Sequence, residues 1–313
     1  MNKKTTSICV GSFACALQKA NDILGPDRPW TPTTDPTSCA WQKRAIIAYL
    51  NITDDGRRDM TSIEGIDGEA SFDHEKLNAT LQKFGVDIRL DPFLPTEFGT
   101  IGLYEVGRDW LIEGNSDISI RLADGGRKVP GFRIPNNNRK RALDVIAGLE
   151  GNPTVRFYTK QPRDRCVVIM RDDGEYDDFE LHERAVRMEE ESREGESIAC
   201  VGVQVPMVDL NHQPDISRLI GLSTHKEEDP LDRFYIGQAL QQNIFQMDHM
   251  GFLAKSATAL GLLSGAQRHG PPPPDYIVDG PFIVAVVADY GVEFAAHIWP
   301  DTMRDPKRTY TLG

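Results

Sequence analysis

Asp248-His249-Met250-Gly251-Phe252-Leu253-Ala254-Lys255-Ser256-Ala257-Thr258-Ala259-Leu260-Gly261 is the stretch on which the reading of the fold turns. A strand pattern from Phe234 to Met247 leads into it, and Pro271–Pro274 follows as a stiff extended segment. Beyond the break at Asp248–Gly251 small residues dominate, continuing through Ser264, Gly265 and Ala266. Small side chains at alternate positions let such a loop slide between two existing strands without overpacking them. Two apolar strands, Phe282–Ala288 and Val292–Trp299, close the pattern around a turn at Asp289-Tyr290-Gly291.

The rest of the chain bounds the answer. It has 313 residues, 40% hydrophobic and 26% charged, which supports a sizeable core and argues against wholesale disorder. A net charge of −12 argues against a nucleic-acid partner. No apolar run approaches the ~20 residues needed to span a bilayer, so no membrane partner is expected. Much of the negative charge lies between Asp172 and Glu196, where helical periodicity (Phe179, Leu181, Ala185, Val186, Met188) marks a solvated helix face. Arg127, Lys128, Arg133, Arg139, Lys140 and Arg141 form an acid-free stretch. It reads as a solvated loop entering a helix, with an anionic partner as the sharper alternative.

Five cysteines, an odd number without a C-x-x-C pair, read as buried structural thiols rather than a disulfide framework or a zinc site. Phosphate-binding glycine loops, H-E-x-x-H and G-x-S-x-G are absent, and no two of the seven histidines have metal-ligand spacing. No cofactor and no metal are expected. The first residues carry Lys3 and Lys4 before an apolar stretch, but the pattern continues through Leu17, Ala20, Ile23 and Leu24. That continuation fits an amphipathic helix better than a signal peptide and favours a cytoplasmic location, with secretion left open.

Periodicity places helices near 7–24, 38–50, 73–84, 139–148 and 177–191. Strands are expected at 100–106, 117–122, 154–159, 166–171, 199–208, 234–247, 282–288 and 292–299. Helices lead and strands dominate the second half, which is an α+β arrangement.

In this order the segments resemble the serpin family. Met247-Asp248-His249-Met250-Gly251 occupies the place of the family's hinge, and Leu253–Leu260 is similar to its Ala-rich reactive loop. Pro273-Pro274-Asp275 through Gly280-Pro281-Phe282 has the family's spacing between Pro-Pro and Pro-Phe. Val292–Ile298 resembles the last core strand, and Val203–Val208 with Asp215–Leu222 resembles the stretch upstream of it. The resemblance implies a single serpin-like domain over 1–313, with mixed β-sheets surrounded by helices, a reduced helical N-terminal half and a reactive-loop-like segment at 249–274.

In family inhibitors a protease cleaves the loop, which then inserts as an extra strand and carries the acylated protease with it. The resemblance assigns the hinge here to His249, Met250, Gly251, Phe252, Ala254, Ser256 and Thr258. Phe252, Ala254, Ser256 and Thr258 would point inward by strand alternation. Phe252 departs from the family's Thr or Ser, and a ring forced into a packed slot costs ~1–3 kcal/mol. His249 replaces the hinge glutamate, and the loop is longer than the family norm. Two scissile bonds remain open, Gly265-Ala266 by loop counting and Arg268-His269 by trypsin-like chemistry. Only about fifty residues separate the helix near 42–50 from the strand at 100–106, too few for the family's helices and edge strand.

Three functions follow. The first is a non-inhibitory serpin-scaffold protein that binds a small-molecule ligand or a protein partner. The second is a suicide-substrate inhibitor whose partner is a serine protease. The third is a small-molecule enzyme, a cyclase or lyase, for which His297, Asp289 and Tyr290 are the catalytic candidates near the C-terminal strands. A satisfied core histidine is the plainer reading of His297.

Overall fold

A computed structural model describes residues 5–25, 28–94, 97–136, 142–148, 151–161, 165–226, 229–254 and 274–307. The first third holds β1 (Thr6–Cys9), α1 (Val10–Leu24), β2 (Trp30–Thr31), α2 (Pro36–Ile52), β3 (Ile66–Ser71), α3 (His74–Phe84) and β4 (Gly99–Tyr104). The middle holds β5 (Val106–Asp109), β6 (Asn115–Arg121), β7 (Lys128–Pro135), β8 (Leu143–Ile146), β9 (Thr154–Tyr158), β10 (Arg165–Arg171) and α4 (Asp178–Glu194). Then come β11 (Gly202–Pro206), β12 (Val208–His212), β13 (Ser223–Lys226), β14 (Asp229–Tyr235), β15 (Asn243–Met247) and β16 (Gly251–Ala254). The last strands are β17 (Tyr276–Ile277), β18 (Phe282–Ala288) and β19 (Gly291–Ile298). This is an α+β architecture of mixed sheets with few helices. The chain divides into two compact units, one of residues 8–105 and 212–243, the other of the residues up to 7, 106–211 and 244 onward.

In the first unit α1 lies across the antiparallel pair β3 and β4. The approach is close enough that a Cβ on Gly102 would meet the Ser12 carbonyl oxygen at 1.9 Å, so only glycine fits there. α2 begins at Asp35, whose carboxylate accepts from the Ser38 amide at 3.0 Å, with Pro36 in the first turn. Buried Gln42 fixes the helix to its surroundings. Its amide donates to the carbonyls of Arg218 (2.7 Å) and Ile220 (3.2 Å), while its oxygen accepts from the Thr33 amide (2.7 Å). A small sheet, β14-β13-β2, completes the unit.

The second unit is built on a six-stranded sheet in the order β1-β19-β18-β10-β9-β8. β19, β18, β10, β9 and β8 pair antiparallel in turn, and every residue of β18 is buried. A continuous apolar run suits a strand covered on both faces. α4 packs against this sheet and opens with a capping box, in which the Asp177 carboxylate and the Glu180 side chain each accept from the other's backbone amide. Two further sheets follow the orders β17-β11-β7-β6 and β12-β15-β16-β5.

Several expectations are corrected. The chain before α1 is a strand, β1, because Ser7, Ile8 and Cys9 are all buried. Described residues 142–148 hold strand β8 in place of a helix, with Leu143, Val145 and Ile146 buried. Within the basic stretch Val129, Phe132 and Ile134 are buried along β7, so Lys128 and Arg133 ride on a strand rather than a loop, while Arg139, Lys140 and Arg141 lie outside the described residues. The long strand read over 234–247 is two strands, and residues 236–242 between β14 and β15 have no regular structure. The described residues between α2 and β4 form a 3-10 turn (Met60–Ser62), the strand β3, which pairs antiparallel with β4, and α3.

Candidate functional site

The segment that decides the fold begins with a tight turn. Asp248, almost fully buried, accepts on Oδ1 from the amides of Met250 (2.9 Å) and Gly251 (3.3 Å). This is the Asx geometry in which a short acid mimics a backbone turn. The chain then reverses into β16, which lies antiparallel to both neighbours, β15 and β5. Gln246 pairs with Leu253 and Met247 with Phe252 on one side; on the other, Gly251 through Ala254 pair with Asp109 through Val106. A Cβ on Gly251 would meet the Arg108 carbonyl oxygen at 2.2 Å, so the entry position admits only glycine.

Trp110, which the sequence reading did not single out, holds this turn. Its indole Nε1 donates to the Asp248 carbonyl at 2.7 Å, and its backbone amide donates to the Met250 carbonyl at 2.9 Å. Its ring sits 5.8 Å from Phe252, 5.3 Å from Phe157 and 6.3 Å from Phe132, and Phe252 in turn stacks on Phe245 at 6.3 Å. Phe252 is inward as alternation requires, 1% exposed. The rings of Trp110 and Phe245 lie directly against it. His249 accepts on its carbonyl from the Gly114 amide at 2.7 Å, and its Nδ1 is shielded with no partner among the described residues. Ala254 ends β16; Ser256, Thr258, Gly265, Ala266, Arg268 and His269 lie outside the described residues.

After residue 273 the chain is anchored by Asp275. Its carboxylate accepts two hydrogen bonds from Arg133, both 2.8 Å, and one from Gln204 at 2.8 Å. The Arg133 hydrogen bonds hold this carboxyl below its ordinary range. Arg133 is therefore spent inside the protein rather than offered to an anionic partner. Tyr276 and Ile277 then pair parallel with Val203 and Gln204 of β11.

The three catalytic candidates do not form one site. Asp289 is exposed at the hairpin turn. Tyr290 donates to Glu293, which also takes a bidentate pair of bonds from buried Arg165 at 2.7 and 2.9 Å. Burial, then the Glu293 charge, raises the Tyr290 phenol far above its ordinary range. His297 lies seven residues further along, roughly 20 Å of strand. It is 1% exposed, and its Nε2 donates to the Asp172 carbonyl at 3.0 Å, with Trp299 and Tyr176 against its ring at 4.6 and 5.8 Å. That is a satisfied core histidine. Among the described residues no group of three or more His, Cys, Asp and Glu is placed to hold a metal ion, and no helix is long and apolar enough to cross a membrane.

The fold has counterparts among solved structures. The native-state structure of tengpin, a thermophilic serpin, superposes with a TM-score of 0.55 at 12% identity, over 95% of this chain and 89% of tengpin's. The fold is serpin-like. Mouse protein-Z-dependent protease inhibitor gives a TM-score of 0.52 at 12% identity, covering 95% of this chain and 91% of its own. A serpin from Schistosoma mansoni gives 0.51 at 11% identity, covering 94% and 95%. No protein-family model matches the chain, and no curated protein matches it in sequence. The serpin-like fold is thus carried by three-dimensional arrangement alone, on a divergent sequence.

Proposed function

We propose that this protein is a non-inhibitory member of the serpin-like fold that acts by binding a small molecule or a protein partner rather than by trapping a protease. The observation supporting this is that Gly251–Ala254 already occupies β5 over its whole length, Val106 to Asp109. A trap draws its force from strand pairing that is made only after cleavage. Here the pairing on β5 is complete beforehand, and Trp110 with Phe252 holds it in place. On the other side, the register that sets Gln246 against Leu253 reaches the first residue of β15 within three further residues. Between β15 and β5 little new pairing is left for a cleaved loop to gain.

The second reading, a suicide-substrate inhibitor of a serine protease, is favoured by one feature. β16 already lies between two strands antiparallel to it, which is the geometry insertion requires. Incubation with a panel of serine proteases, read on a denaturing gel beside the melting temperature of the nicked protein, separates the two. The expected result is cleavage without an SDS-stable complex and a melting shift of no more than about 3 °C, on the order of 1 kcal/mol for a unit of this size. A stable covalent complex, or a rise of tens of degrees on nicking, overturns the proposal.

A further inference from the structure

Five Asp–Gly bonds occur in the chain, at Asp55-Gly56, Asp67-Gly68, Asp124-Gly125, Asp173-Gly174 and Asp279-Gly280. Such a bond rearranges when the glycine nitrogen attacks the aspartate side-chain carbon and closes a succinimide ring. Glycine permits this because it has no Cβ to shield its amide and it turns freely in φ. A folded chain suppresses the attack wherever it commits the amide, the carboxylate or the backbone between them.

Four of the five bonds are restrained in this way. The Gly56 amide donates to Thr53 Oγ1 at 3.1 Å, and the Gly174 amide donates to the Asp172 carboxylate at 2.8 Å. Asp279 pairs with Arg171 at 2.8 Å, and a Cβ on Gly280 would meet Arg171 Nε at 3.1 Å. Gly68 lies within β3 opposite Gly102, and a Cβ there would meet Cys15 Sγ at 2.6 Å. The Asp67 carboxylate accepts from the Gly68 amide at 2.7 Å, which presents oxygen to that nitrogen rather than the carbon to be attacked.

Asp124-Gly125 has none of these restraints. It stands at the tip of the connection between β6 and β7, whose base is fixed: Leu122 donates to the Arg127 carbonyl at 2.8 Å, and Ala123 to the Asp279 carbonyl at 2.8 Å. Ala123, Asp124 and Gly125 are exposed, and neither the Asp124 carboxylate nor the Gly125 amide has a partner among the described residues. Gly125 has φ +127°, and a Cβ built on it would meet nothing within 4 Å, so a ring closes there without displacing a neighbour.

We propose that Asp124-Gly125 is a site of spontaneous isomerisation to isoaspartate. The Gly125 nitrogen bonds to Asp124 Cγ and gives up its proton, and a carboxyl oxygen leaves as water, so the ring forms by dehydration with no oxidant. Water then adds back to one imide carbonyl. Addition at Cγ restores aspartate; addition at the main-chain carbonyl routes the backbone through the side chain and frees the α-carboxylate. The charge is kept and the turn grows by one methylene. β6 has β7 as its one neighbour in the sheet, so the longer turn loosens its end, where Arg121 pairs with Lys128. The freed α-carboxylate is the group that isoaspartyl methyltransferases esterify from S-adenosylmethionine, and that enzyme class is the partner of the modified site. None of this depends on whether the loop traps a protease.

The full chain, aged while folded at pH 6, is digested with trypsin, which releases residues 122–127 as one peptide, and isoaspartate is read by electron-transfer fragmentation and by enzymatic methylation of the intact chain. Isoaspartate should accumulate at residue 124 about tenfold faster than at any of the other four bonds, since each of those must first open a local contact. In guanidinium-unfolded protein the five rates should converge. Asp124→Glu should remove the methylated product while the melting temperature stays at that of the parent, and amide exchange in the aged parent should rise at Ile118–Arg121. No isoaspartate at residue 124, equal accumulation at another of the four bonds in the folded protein, or methylation that survives Asp124→Glu overturns the proposal. So does the same preference in the unfolded chain, which would assign it to local sequence, or unchanged exchange along β6.

Discussion

His182 ties the stability of the second unit to pH. It sits on α4, 8% exposed, with Nδ1 shielded and unpartnered among the described residues. Burial lowers its pKa from 6.5 to about 4. The folded protein keeps the ring neutral where the unfolded chain would protonate it, so the unfolded state binds more protons as pH falls. The stability this contributes is full above pH 6.5 and is lost progressively towards pH 4. At 1.36 kcal/mol per unit the whole window is worth about 3 kcal/mol, of which about 2 kcal/mol is gone by pH 5. His182→Leu removes the titration and keeps an apolar side chain of similar reach against the sheet. Urea unfolding at pH 7.5 and pH 5, for both proteins, isolates this residue from all other titrating groups. The parent should lose about 2 kcal/mol more than the variant between the two conditions. Parallel pH profiles would refute the reasoning, because they would mean that the ring reaches solvent or a partner in the folded protein.

Two further expectations follow from the contacts of the same unit. Trp110→Phe keeps the ring contacts and removes the N–H bond to Asp248; it should cost about 1–2 kcal/mol and speed amide hydrogen exchange selectively at Gly251–Ala254, read by mass spectrometry. Arg165→Met strands buried Glu293 without its cation and should cost about 3–5 kcal/mol by chemical unfolding, whereas adding Glu293→Leu should recover most of it.

The C-terminal hairpin was legible because its signal is local. Phe282–Ala288 is an unbroken apolar run, Asp289-Tyr290-Gly291 is a turn, and both strands fall within a residue of their expected bounds. α4 was legible for a similar reason, with periodic apolar residues behind an acidic N-terminus that forms a capping box. Residues 142–148 were misread because Leu143-Asp144-Val145-Ile146 is too short for periodicity to separate strand from buried helix. In β7 the charges drew attention away from buried Val129, Phe132 and Ile134, and the alternation there is broken because Gly131 and Phe132 are buried in succession. The turn at Asp248 carried a local mark, an acid three residues before a glycine, and the break there was seen. Its fastener, Trp110, carried none. It stands 138 residues from Asp248, and only the folded chain brings the two together.

That fastener changes what Phe252 means. Taken from sequence, an aromatic at an inward hinge position is an obstacle to insertion, since the family's small residues pass between strands at little steric cost. In the folded protein it is the reason the first part of the segment is already inserted. Phe252 packs against Phe245 of β15 and against Trp110, which follows β5 and in turn packs against Phe157 of β9. A residue that stabilises the inserted state before cleavage lowers the free energy of the uncut protein. It does nothing for the pairing gained afterwards, so the drop available to a trap becomes smaller. The same ring that fits the slot thereby weakens the case for the slot as an engine. On the proposed non-inhibitory reading, the protein keeps a serpin-like fold while having less to release on cleavage, and its partner is recognised by the folded surface rather than captured by a moving loop.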